Sequence, residues 1–154
     1  MQKIKELRKL FLEKGEIVGD IEETADNYDN NGNLINESIP TFTTESCEIG
    51  SYEDVVYFTF VVYSDSYNKK FIELLKNLSN FQAYCFKNFS EDLDVDSKEF
   101  EEKIKKEKYF QINFEYSVND DSKYLFDRYS KNRNLILESG VKIVNQLEVD
   151  LTKD

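Results

Sequence analysis

Chemistry that relies on an imidazole is closed to this chain, because its 154 residues include no histidine. A Ser, Thr or Cys nucleophile would have only carboxylates, Lys or Tyr to take its proton, and no nucleophile elbow is present. The two thiols, Cys47 and Cys85, stand far apart in strand-like apolar surroundings. That pattern predicts two buried free cysteines rather than the close Cys and His ligands of a structural zinc site. Two stretches imitate calcium loops. In Ser90 to Glu102, Asp92, Asp94 and Asp96 alternate as early ligands, but Ser97 stands where the turn needs glycine and Lys103 where coordination needs a bidentate glutamate. In Asn27 to Ser38, Asp29, Asn31, Gly32 and Leu34 fit, yet Asn27 and Ser38 replace the two acids on which affinity depends most. The five glycines, at positions 15, 19, 32, 50 and 140, are not spaced as a phosphate loop, and no spacing singles out a catalytic carboxylate pair. The expectation is a protein that is not an enzyme, with no metal and no cofactor.

What the sequence offers instead is charge. From Gly15 to Asn68 there are 12 acidic residues and no Lys or Arg, whereas the other hundred residues carry 20 bases against 19 acids. The net charge of −11 therefore belongs to this window. A field of one sign attracts cationic partners and repels nucleic acid and anionic lipid. Basic residues gather weakly at Lys103 to Lys108 and at Lys123, Arg128, Lys131 and Arg133, where neighbouring acids cancel them. Direct nucleic-acid binding is not expected.

The elements that must position these groups follow from periodicity. Ile4, Leu7, Leu10 and Phe11 predict an amphipathic helix over 3–14, and Val18, Ile21, Ala25 and Tyr28 could extend its rhythm past Gly15 and Gly19. Tyr28 to Ile35 has the Asn and Gly content of a tight turn. After Pro40, alternation points Phe42 and Cys47 inward and suggests a turn at Gly50 and Ser51. Val55 to Tyr63, β-branched and aromatic with only Thr59 polar, reads as a central strand covered on both faces. Ser64 and Asp65 signal the start of a helix carrying Phe71, Ile72, Leu74, Leu75 and Leu78, and Phe81 to Phe86 reads as a strand. A charged helix is expected over 97–107, then a half-buried strand from Tyr109 to Val118. A long helix capped by Asp120, Asp121 and Ser122 should end at Gly140, with Val141 to Leu151 as strand or continuing helix.

The resulting expectation is one α+β domain over 1–154: an N-terminal helix (1–14), an acidic hairpin region (15–54) and a sheet-and-helix core (55–151). Its antiparallel or mixed sheet is covered by helices and fits a ferredoxin-like βαββαβ order with the helix and hairpin added in front. No apolar run approaches the length of a membrane span, and the charged N-terminal helix shows no cleavage site. Together these suggest a cytoplasmic protein without a membrane association. Its expected function is non-enzymatic: an immunity protein, antitoxin or inhibitor that neutralises a basic partner, such as a toxin, a nuclease or a nucleic-acid-handling complex. A small-ligand or regulatory module, dimeric or not, is the alternative, and a carboxylate-metal enzyme the second. The expected partner-binding residues are Asp20, Glu22, Glu23, Asp26, Asp29, Glu45, Glu48, Glu53 and Asp54 with Tyr28 and Tyr52, the nine carboxylates sharing one face.

Overall fold

Spacing of Ile4, Leu7 and Phe11 on one stripe builds α1 (Gln2–Glu13), with all three side chains fully buried. A computed structural model describes residues 1–23, 31–32, 39–64, 68–77, 81–85, 102 and 108–148, the segment 81–85 by its backbone. The α1 helix does not continue into Val18 and Ile21. It stops in a Schellman motif, Gly15 N–H donating to Leu12 O at 3.0 Å and Glu16 N–H to Phe11 O at 2.9 Å. Gly15 sits at φ +86°, which a residue with a Cβ resists, so the glycine forces the stop. The chain then runs extended. Val18 bridges Thr44, and β1 (Glu22–Glu23) pairs with β2 (Pro40–Thr43). Asn31 and Gly32 lie in a turn, while the rest of Tyr28 to Ile35 falls outside the described residues.

The expected turn at Gly50 and Ser51 is absent, because both lie inside β3 (Glu48–Tyr52). The reversal into β4 (Val55–Tyr63) is made by Glu53 and Asp54, since Tyr52 pairs directly with Val55. Next, α2 (Lys69–Asn77) starts later than Ser64 and Asp65 suggest. Asn68 starts it, its Oδ1 accepting from Phe71 N–H at 3.1 Å while its Nδ2 donates to Ser139 O at 2.9 Å. Then come β5 (Phe81–Cys85), β6 (Tyr109–Ser117), α3 (Ser122–Glu138) and β7 (Lys142–Ile143). The charged helix expected over 97–107 lies outside the described residues apart from Glu102, which is helical. Asp121 occupies the N-cap of α3 without a side-chain capping bond, and Asp120 Oδ2 instead accepts from Ser117 N–H at 3.2 Å.

All strand pairs are antiparallel, in the order β1-β2-β3-β4-β6-β5, and β7 also pairs with β4. Among the described elements, those from β4 to β7 follow a βαββαβ order with strand order β7-β4-β6-β5, the ferredoxin-like arrangement. The acidic N-terminal region adds β1, β2 and β3 to the β4 edge. Both β3 and β7 share that edge, β3 taking Val55–Thr59 and β7 only Val62–Tyr63. This explains why β7 is so short. The molecule is an α+β single domain, and among the described residues no helix is long and apolar enough to cross a membrane.

Alternation along the central strands sends one set of side chains into the core: Val56, Phe58, Phe60 and Val62 of β4 stand opposite Tyr116, Phe114, Ile112 and Phe110 of β6. Helix α1 lies over β2 and β3 and against α3, which also meets α2. Their junction is an aromatic cluster around Tyr129, whose ring is 4.8 Å from Phe11 and 6.0 Å from Phe60, and whose hydroxyl meets Thr44 Oγ1 at 3.3 Å. Cys47 is fully buried here as a free thiol, as its setting implied.

Candidate functional site

Period-two alternation that fills the core also fixes what faces the other way. On the sheet face remote from Phe58, Phe60 and Ile112, the rows run Thr43–Glu48–Thr59–Asn113 and Thr41–Gly50–Tyr57–Glu115 across β2, β3, β4 and β6. A depression of about 420 Å³ lies over these rows, lined by Ile39, Glu48, Tyr52, Val55, Tyr57, Thr59, Gln111, Asn113 and Glu115. None of the lining residues among those described is basic.

Gly50 explains the floor. A Cβ at this position would run into Cζ and Oη of Tyr57, so the Tyr57 side chain reaches from β4 across the backbone of β3 and occupies the place of the missing side chain. A glycine in a strand is weak unless a cross-strand aromatic covers it, and here one does. Glu48 stands on β3 one row from that ring, whereas Glu115 pairs with Tyr57 on β6, on the side of β4 away from it. Thr59 Oγ1 donates to Asn113 Oδ1 at 2.8 Å, and Asn113 Nδ2 donates to Glu115 Oε1 at 3.4 Å. This chain restrains the polar side of β4 and β6.

Glu48 is the electrostatic centre. Its carboxyl is half-buried and pushed up from its ordinary value by that burial. Among the described residues no Lys or Arg pairs with it: the ion pairs are Lys3–Glu6 and Arg8–Asp20. The Glu48 charge acts on its neighbours. Burial drives the Tyr57 phenol well up, and the Glu48 charge adds to it. The Cys47 thiol is raised by burial first and Glu48 second, against a lowering backbone hydrogen bond from Thr59. A second depression continues from the first through Val55 and Glu115 to Asp54, Asp120 and Tyr124.

The expected partner-binding residues do not all meet here. Glu48 and Tyr52 line the depression, and Asp54 lines its continuation. Glu22 and Glu23 are exposed on the edge strand β1, and Asp20 is exposed beside Arg8 Nη2 at 3.5 Å. Glu45 lies in the β2–β3 connection and Glu53 with Asp54 in the β3–β4 turn, at opposite ends of β3 and hence roughly 17 Å apart. Along β3 the described acids thus stand at its two ends and at Glu48 between them. Asp26, Asp29 and Tyr28 lie outside the described residues. Sequence reasoning passed over Tyr57, Thr59, Gln111, Asn113 and Glu115, although the alternation of Gln111, Asn113 and Glu115 against an inward Phe110, Ile112 and Phe114 already marked a polar row.

Neither a protein-family model nor a curated protein matches the sequence. Among solved structures, the chain is similar to a conserved hypothetical protein from Pyrococcus furiosus, with a TM-score of 0.66, 19% identity and 90% of each chain covered. Likeness at that identity shows the fold alone.

Proposed function

We propose that this protein is a non-enzymatic binding module that docks a cationic group of a basic protein partner on the polar face of its sheet. The observation that carries the reading is Glu48, a half-buried carboxylate in a depression whose described lining holds no base. A buried charge without a counter-charge costs free energy, and a cation arriving from a partner removes that cost. The net charge of −11 supplies attraction at longer range. An antitoxin, immunity protein or inhibitor that occupies Lys and Arg otherwise used to hold phosphates fits this description. The module works by occlusion, with Tyr52 and Tyr57 as contact surface and the acidic turn Glu53–Asp54 at the rim.

The test is capture of the basic partner on immobilised protein from an extract of the source cells, followed by elution with salt. Retention should fall steeply as salt rises through roughly 0.1 to 0.5 M. A partner held equally at all salt concentrations, or a neutral or acidic one, contradicts the reading. The size of the depression favours a second reading, a small cationic ligand, since about 420 Å³ falls within the usual range for such sites. Saturation with such a ligand would raise the unfolding midpoint without any protein partner.

A further inference from the structure

Resting on the docking reading above, we propose that the group seated on the polar face is a guanidinium, so that the partner's anchor is an arginine rather than a lysine. Tyr57 lies across β3 over Gly50, which backs one side of its ring with the sheet and turns the other toward the depression. A flat π-face is a platform for a flat cation, and guanidinium stacks on it without losing its in-plane donors. The two carboxylates of the depression do not converge on one point: Glu48 shares β3 with the glycine under the ring, and Glu115 lies beyond β4 on β6. Glu48 and Glu115 stand two inter-strand spacings apart and two residues out of step, roughly 12 Å between their backbones.

A compact ammonium ion can sit against only one of them at a time. A guanidinium presents five N–H donors around its plane and can donate in that plane to Glu48 while its face lies on the ring. Hydration points the same way. Glu48 and Thr59 are drawn back from water, and an ammonium gives up its water less readily than a guanidinium. The 2.8 Å bond from Thr59 to Asn113 holds the polar side of β4 and β6 before the ligand arrives, which limits the ordering cost of binding.

The experiment is an amide-shift titration of the whole protein with N-acetyl-arginine amide and, separately, N-acetyl-lysine amide at matched ionic strength. Expected is a saturable response at Gly50, Tyr57, Asn113 and Glu115, several-fold tighter for the arginine probe. Tyr57→Phe should keep that preference. Tyr57→Leu should lose it, and Glu48→Gln should abolish saturation, the dispersion of each spectrum reporting the fold. Equal responses to the two probes, shifts scattered over Glu22, Glu23 and Glu53, or no response to either overturn the guanidinium assignment. The docking reading fails separately. If salt-sensitive capture of a basic partner survives Tyr57→Leu but is lost in the double variant Glu48→Gln/Glu115→Gln, docking stands and the arginine assignment falls. If the double variant captures the partner as well as the parent chain, both fall.

Discussion

Glu48 ties stability and binding together through one proton. Burial raises its carboxyl above the ordinary value of 4.5, so the folded chain holds that proton more tightly than the unfolded chain does. Where the native state binds more protons, stability falls as pH rises; this group therefore favours the fold at acid pH, and its contribution is lost as pH climbs through and above the carboxylate range. Glu48→Gln should remove that slope and leave the free protein at least as stable at neutral pH, measured by denaturant unfolding at a series of pH values. A variant clearly less stable at neutral pH would mean that the charged carboxylate has a partner. Gly50 carries the second residue-scale prediction. Gly50→Ala drives a Cβ into the Tyr57 ring and should cost about 1–3 kcal/mol, as overpacking does. Adding Tyr57→Ala should relieve part of that cost, so the double variant is more stable than the sum of the single effects. Strict additivity would show that the ring does not lie over the glycine.

Elements with strong periodicity were legible in the sequence, and those decided by their neighbours were not. Val55–Tyr63, Tyr109–Ser117 and the stripe of α1 announce themselves by pattern, and the structure places Phe58, Phe114 and Phe11 in the core accordingly. Gly50 misled because a strand glycine and a turn glycine look alike until the opposite residue is known to be Tyr57. The last strand is short for a reason written in no local pattern, namely that β3 already holds most of the β4 edge. The start of α2 moved to Asn68 because that side chain serves two elements, closing the first turn of one helix and holding the end of another. Asn68→Ala should therefore cost more than the roughly 1 kcal/mol typical of a lost N-cap, and hydrogen exchange should speed up at Ser139 and Gly140 as well as in α2. Exchange altered in α2 alone would contradict the link. For the site the limit was similar. Glu48 and Tyr52 came from the charge window, but Tyr57 and Glu115 become neighbours only through the β4–β6 register.

For the whole molecule, the described acids of the base-free window spread along β1 and β3. Glu45 and the Glu53–Asp54 turn occupy opposite ends of β3, and Glu48 stands between them on the polar face. Distributed surface acids contribute solubility and long-range attraction, whereas one half-buried acid in a depression contributes a place to bind. The two effects separate when the same number of charges is removed at different places. The most direct measurement is the affinity of the captured basic partner, at low salt, for Glu48→Gln/Glu115→Gln and for Glu22→Gln/Glu23→Gln, which share one net charge. The docking account predicts a loss of roughly tenfold or more, about 1.4 kcal/mol, for the first pair and little change for the second. Equal losses from both pairs would mean that net charge alone attracts the partner and would contradict docking on this face.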